Sequence, residues 1–214
     1  MRIRDARIVA TAVGPAGFPS DELPEIAFLG RSNAGKSSLL NALAGRRELA
    51  RVSSTPGKTR ALHFFRIERL DDADRVSSLL FVDLPGYGFA RVARSERAAW
   101  QRLVESYLTA RAPLRAAVLI QDLRRDVGDD ERDLVAWLAE RGIPVLVALA
   151  KSDKLKAGAR GVRWRALRAD YGLEDARVLL TSAKTKLGID ALWAAIDAQI
   201  EAGAAAAPGD QNRP

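Results

Sequence analysis

The sequence predicts an α/β fold: a doubly wound, mostly parallel sheet flanked by helices. Two observations carry this. Short apolar runs alternate with segments of helical period along most of the chain, the order expected of strand–helix–strand crossovers. The motifs able to carry chemistry also fall where the apolar runs stop, and ligands of open α/β sheets bind at the carboxyl ends of their strands.

In chain order, residues 7–13 read as an edge strand, followed by a Gly/Pro loop over 14–24. The apolar run 25–30 reads as a buried strand and passes through a glycine-bearing turn into a Leu/Ala-rich helix. Residues 45–60 have no apolar period, and long loops of this kind tend to be functional or mobile. Residues 61–67 and 78–82 read as strands joined by the polar turn 71–74. After Asp83-Leu84-Pro85-Gly86, Ser95 can cap a helix reaching about residue 111. Strands are expected over 116–120, 143–150 and 178–180, and helices over 129–141, 162–171 and 189–202. The wholly apolar run 143–150 suits a parallel strand covered on both faces. Residues 1–24 are read as part of the same domain, 25–202 as its body, and the Ala/Gly/Pro-rich 203–214 as a disordered tail.

A chain of 214 residues is one domain on length, with 48% hydrophobic and 29% charged residues. Its net charge of +7 suits an acidic partner such as nucleic acid. A general preference for Arg over Lys would account for the charge equally simply. Only seven residues are Lys, and Lys36, Lys58, Lys151 and Lys184 lie inside motifs, where a compact ammonium is useful. The absence of Cys excludes disulfides and thiolate metal sites and fits a reducing cytoplasm. No apolar run approaches a membrane span. The basic start and the apolar run 8–13 faintly resemble a signal peptide, but Asp5 and the shortness of that run favour the edge strand.

Gly30-Arg31-Ser32-Asn33-Ala34-Gly35-Lys36-Ser37 matches G-x-x-x-x-G-K-[ST], with a strand before it and a helix after. Gly30 and Gly35 let the backbone curl so that successive N–H groups point at phosphate oxygens. The helix starting near Lys36 adds its positive dipole end. Lys36 can reach the β/γ-phosphates, and Ser37 offers a hydroxyl to Mg²⁺. Further along, Asp83 can hold Mg²⁺ through water and the Gly86 amide can meet a γ-phosphate. Ala150-Lys151-Ser152-Asp153 follows an apolar strand. It resembles the [N/T]-K-x-D guanine box, in which the carboxylate can accept from guanine N1–H and the N2 amine together, a donor pair adenine lacks, while the Lys151 stem would cover the base. Thr181-Ser182-Ala183-Lys184 closes the next strand, where a backbone amide can face the base oxygen.

Together these residues resemble the EngB family of bacterial ribosome-biogenesis GTPases, within the TrmE-Era-EngA-EngB-septin-like P-loop GTPases. The resemblance extends over about residues 5–200 and includes Thr55-Pro56-Gly57-Lys58-Thr59-Arg60, the His63-Phe64-Phe65 run and the Asp83-to-Ala90 run. It implies a Ras-like G domain binding GTP or GDP with Mg²⁺. It also implies a role in large ribosomal subunit assembly, linked to cell division and septum formation, with a ribosomal particle as partner and no membrane. The protomer is expected to be a monomer. By this match Thr59 is the switch threonine that ligates Mg²⁺ with Ser37 and Asp83, and Gly57, Lys58, Arg60 and Ala61 flank it at the nucleotide. The family's Asn or Thr is Ala150 here, which removes one side-chain hydrogen bond from the guanine box.

In Ras-like enzymes a Gln after D-x-x-G orients the attacking water. That position is Tyr87, so slow intrinsic hydrolysis is expected, with Lys36, Asn33 and Thr59 as the catalytic candidates. Two readings of Asn33 stand side by side: a ligand for K⁺ acting as a catalytic cation, as in related GTPases, and a residue that tolerates a tight turn. His63 reads as a strand histidine satisfied by its neighbours. The four Trp residues read as helix packing. Lys154, Lys156, Arg160, Arg163, Arg165 and Arg168 form a basic run, either a solvated helix face or an rRNA-facing patch. The rival functions are a GTP-binding cell-division scaffold and an ATP-using P-loop kinase or ATPase.

Overall fold

The computed structural model describes residues 2–50, 61–71, 73–87 and 94–206. Its elements run β1 (Arg2–Ala12), β2 (Glu25–Gly30), α1 (Lys36–Leu43), β3 (Leu62–Leu70), β4 (Val76–Asp83), α2 (Arg94–Ala110) and β5 (Leu114–Asp122). They continue with α3 (Asp129–Glu140), β6 (Val145–Ala150), α4 (Ala157–Tyr171), β7 (Val178–Leu180) and α5 (Ile189–Ala206). The sheet order is β1-β3-β4-β2-β5-β6-β7. Only the β1–β3 and β3–β4 pairings are antiparallel, so the expected doubly wound, mostly parallel sheet is present.

The central strands β2 and β6 are buried along their whole length, as their unbroken apolar sequences require. One face of the sheet buries Ile26, Phe28, Phe81 and Ile120 with Leu39 and Leu43 of α1 and Trp193 and Ile196 of α5. The other buries Leu29, Phe64, Val82 and Leu119 with Tyr107 of α2, Leu138 of α3 and Leu167 of α4. Trp193 stacks on Phe81 at 5.2 Å and donates its indole N–H to the Leu43 carbonyl at 3.2 Å, so it packs in the core. Trp164 likewise donates to the Val178 carbonyl at 2.7 Å.

Several elements are longer than the sequence pattern suggests: β3, β4 and β5 by one to three residues at an end, and β1, α4 and α5 by more. β1 starts at Arg2 because an edge strand with one solvated face tolerates Arg2, Arg4 and Asp5. α4 begins at Ala157, ahead of any apolar period, and α5 continues through Gly203 to Ala206 on its run of alanines. The expected tail therefore shortens to 207–214, which lies outside the described residues.

At the amino ends of the strands, Glu25 is fully buried. Its carboxylate accepts from the Tyr107 hydroxyl at 2.9 Å and from both Arg111 Nε, at 3.2 Å, and a second Arg111 nitrogen. Arg111 also donates to the Pro19 carbonyl at 3.0 Å and lies 5.9 Å from the Phe18 ring, which fastens the loop after β1 to α2. Removing one partner of a buried ion pair strands the other charge. Arg111→Ala should therefore cost about 3–5 kcal/mol in urea unfolding, with the sheet retained by circular dichroism in the folded fraction. A loss below about 1 kcal/mol would show that water reaches Glu25 and that the pair is not structural.

Candidate functional site at the carboxyl edge

The turn after β2 is built by two glycines for different reasons. Gly35, the residue before α1, sits at φ +113°, where a side chain would be strained. Gly30 has no room for one: a Cβ there would lie 2.7 Å from the Ile120 carbonyl oxygen. Asn33 also takes the left-handed conformation, at φ +64°. That conformation suits a tight turn, and the Asn33 side chain is exposed. The turn delivers the backbone N–H groups of Gly35, Lys36 and Ser37 to the amino end of α1, with its positive dipole.

Lys36 pairs with Asp83 at the end of β4, joining the first motif to the second. The chain beyond Asp83 is fastened to the same turn. Leu84 N–H donates to the Phe28 carbonyl at 3.1 Å, and Ser32 N–H to the Tyr87 carbonyl at 3.2 Å. Asp83 is 7% exposed. One carboxylate and the Ser37 hydroxyl are hard oxygen donors of the kind Mg²⁺ accepts. Among the described residues no three His, Cys, Asp or Glu side chains form a metal cage. A divalent ion held here would draw further ligands from phosphate and water, which is how Mg²⁺ binds nucleotides.

The segments that follow β6 and β7 are stitched together. Ser152 N–H donates to the Thr181 carbonyl at 3.1 Å, and Thr181 N–H to the Leu149 carbonyl at 2.9 Å. The Ser182 hydroxyl donates to Asp153 Oδ1 at 2.7 Å. That hydrogen bond holds the Asp153 carboxyl below its ordinary value, so it is ionised at neutral pH. The Ser32, Ser152 and Thr181 hydroxyls are buried without a hydrogen-bond partner among the described residues. Ala183 is half-buried against the core and Lys184 is exposed. Lys151, at φ +60°, reaches back over the first turn. Its Nζ donates to the Asn33 carbonyl at 2.5 Å, and its stem passes beside Gly35.

The edge thus gathers residues 30–37, 83–86, 150–153 and 181–184. Ala61 is buried at the entry to β3, whereas Gly57, Lys58, Thr59 and Arg60 lie outside the described residues. His63 stands opposite Asp83 in the β3–β4 register, with Nδ1 3.0 Å from Thr11 Oγ1. Burial pushes its pKa down, against the raising effect of Asp83. It is neutral and satisfied by a neighbour, as expected.

Other contacts were not foreseen. Tyr87 is tucked against the body of the fold, its hydroxyl pushed far up by burial and by the Glu131 charge. Glu131 is fully buried at the start of α3, accepts from Gly128 N–H at 2.9 Å, and lies 3.6 Å from Arg31. In sequence it reads as one of several acids in a helix's first turn, so nothing distinguishes it. Half of the basic run is engaged within the fold. Arg163 donates to the Leu123 carbonyl at 2.9 Å and to Asp126 at 2.7 Å, Arg160 donates to the Leu155 carbonyl at 2.8 Å, and Arg168 pairs with Asp175. Lys154, Lys156 and Arg165 are exposed.

Comparison with known proteins places this edge in a family. Residues 25–151 match the family described as 50S ribosome-binding GTPase. The chain is 45% identical over 211 residues to the probable GTP-binding protein EngB of Anaeromyxobacter sp. (strain Fw109-5), covering 98% of each chain. It is 42% identical to the probable GTP-binding protein EngB of Bacillus subtilis (strain 168), covering 94% of this chain and 99% of that one. Among solved structures, a crystal structure of a probable GTP-binding protein EngB aligns with a TM-score of 0.63 at 26% identity, over 83% of this chain and 99% of that one. Era in complex with MgGDPNP and a segment of 16S ribosomal RNA aligns with a TM-score of 0.64 at 20% identity, over 89% of this chain and 59% of that one, a likeness of fold. The chain belongs to the EngB family of GTP-binding proteins, P-loop GTPases with the mostly parallel sheet seen here.

Proposed function

We propose that the protein is a slow GTPase that acts as a nucleotide-controlled switch in assembly of the large ribosomal subunit, and through it in cell division and septum formation. The observation that carries the nucleotide assignment is the arrangement of Asp153. Its ionised carboxylate is oriented by Ser182 on a segment tied through Lys151 to the phosphate-binding turn. In this reading Gly30, Arg31, Ser32, Asn33, Ala34, Gly35, Lys36 and Ser37 cradle the phosphates. Leu84, Pro85 and Gly86 follow them at the γ-phosphate, and Ala150 to Asp153 with Thr181 to Lys184 enclose the guanine. Ser37, Asp83 and Thr59 hold Mg²⁺, which when bound offsets charge on the β- and γ-phosphates. The printed family description, 50S ribosome-binding GTPase, supports a ribosomal partner. The exposed Lys154, Lys156 and Arg165 are the part of the basic run left to meet it.

For the chemistry, the Lys36 ammonium is a fixed positive charge near the β/γ-phosphates and exchanges its Asp83 partner for phosphate oxygens when nucleotide binds. Tyr87 cannot orient the attacking water as Gln does, so hydrolysis depends on positioning by the backbone and on an added cation or partner. Asn33 lends its exposed side chain to K⁺. The protein acts as a monomer in the cytoplasm. Among the described residues no helix is long and apolar enough to cross a membrane.

Displacement of a fluorescent GDP analogue should need at least about a hundredfold less GTP than ATP, because a pocket built to hydrogen-bond one edge rejects the analogue lacking it. Equal competition would support the ATP-using kinase or ATPase instead. Lys36→Ala should weaken nucleotide capture about a hundredfold or more. Turnover of the isolated protein should stay below about 1 s⁻¹ and rise in K⁺ over Na⁺. Equal rates in the two salts would remove Asn33 from the mechanism. Co-sedimentation with large ribosomal subunits should be stronger with a GTP analogue than with GDP, and Lys154→Glu with Lys156→Glu should weaken it. No sedimentation in either state would favour the cell-division scaffold.

A further inference from the structure

We propose that Asp122 is a positioning residue of the guanine site, acting through the Lys151 ammonium to lock the base-binding segment onto the phosphate-binding turn. The inference rests on the reading of that pocket as a guanine site.

Asp122 is the last residue of β5 and is 4% exposed. Its register partner in the parallel β5–β6 pairing is Ala150, the residue before Lys151. Position 150 carries only a methyl group, 3.7 Å from where a Cβ on Gly35 would stand, so it has no polar atom with which to hold the phosphate turn. The neighbouring strand supplies the missing tie. Asp122 Oδ2 lies 3.1 Å from Lys151 Nζ, and the same nitrogen donates to the Asn33 carbonyl at 2.5 Å. One ammonium thus joins the end of β5, the base segment and the phosphate turn.

Backbone conformation gives this tie something to hold. Lys151 at φ +60° and Asn33 at φ +64° are two of four non-glycine residues in the left-handed region among those described, and they are the two ends of the Lys151–Asn33 hydrogen bond. Such conformations persist where surrounding contacts over-determine them. Asp122 is itself held firmly. It accepts from Arg124 N–H at 3.1 Å, from Arg124 Nε at 3.0 Å, and from a second guanidinium nitrogen at 2.8 Å. Burial pushes its carboxyl up, but the Arg124 and Lys151 hydrogen bonds outweigh that and keep it ionised. The Lys151 stem, which covers the base, is therefore aimed by a fixed charge and not left to sample rotamers.

The alternative is that Asp122 only pairs with Arg124 to hold the β5 terminus. Two measurements separate these roles: dissociation of a fluorescent GDP analogue, and unfolding in urea. Asp122→Ala should speed GDP release about tenfold, the scale of losing one charge-assisted hydrogen bond. Asp122→Asn, which preserves shape, should speed it severalfold and provides the comparison if the Ala variant does not fold. Lys151→Met keeps an apolar stem but removes the ammonium, and it should match Asp122→Ala. The double variant should release GDP within about twofold of Lys151→Met alone, because both changes break one tie. Lowered stability with GDP release unchanged in Asp122→Ala and Asp122→Asn would overturn the proposal. So would a double variant whose effect is the full product of the two single ones. Asp153→Asn tests the underlying reading separately. If it spares the preference for guanine, the pocket assignment fails and the proposal with it; if it abolishes that preference while the Asp122 variants release GDP normally, the proposal alone fails.

Discussion

The site depends on one constraint: parallel strands deliver all their carboxyl ends to a single edge, and there the chain must turn without side chains in the way. At Gly30 the Ile120 carbonyl leaves no room for a Cβ, and at Gly35 the backbone adopts a φ that side chains resist. These conditions produce a row of inward N–H groups beside a helix amino end. Any anion of suitable size meets both the dipole and the Lys36 ammonium. The ends of β4 and β5 flank this turn and those of β6 and β7 follow along the same edge, so a ligand held over the turn can extend toward them.

The charges at the two ends of the sheet behave differently. At the amino ends, Glu25, Tyr107 and Arg111 form a closed cluster with no solvated partner to exchange, and it holds the first loop against α2. At the carboxyl ends, two lysine–aspartate pairs sit on the rim. Lys36–Asp83 joins two groups that, under the proposed function, each gain an alternative partner in a magnesium nucleotide, so the pair would open there. Lys151–Asp122 is anchored by Arg124 and fixes a stem in place. The same pairing of residue types thus serves exchange at one position and rigidity at the other, and the difference lies in what surrounds each carboxylate.

Much of this was legible in the residues. The glycine spacing with Lys36, the strand-end motifs and the alternation of apolar runs are local signals, and they located the sheet, the turn after β2 and the segments that end β6 and β7. Element ends were less legible where charge masks periodicity, as in β1, or where alanine lacks it, as in α4 and α5. The roles of Asp122 and Glu131 were not legible. A buried carboxylate and a solvated one are spelled alike, and only the approach of Lys151 or Tyr87 from distant sequence separates them. Asp83 stands in a D-x-P-G motif, whereas Asp122, followed by Leu123, Arg124 and Arg125, carries no such signal. The basic run was read from composition, which cannot show that Arg160, Arg163 and Arg168 are engaged within the fold.

The most direct test of the account follows backbone amide resonances of isotope-labelled protein as magnesium GDP is added. The account predicts that shifts concentrate at residues 30–37, 83–86, 150–153 and 181–184, the four stretches that meet at the carboxyl edge, with β1 and the Glu25 cluster little changed. Binding that left the 30–37 amides unmoved, or perturbed the amino edge instead, would contradict it.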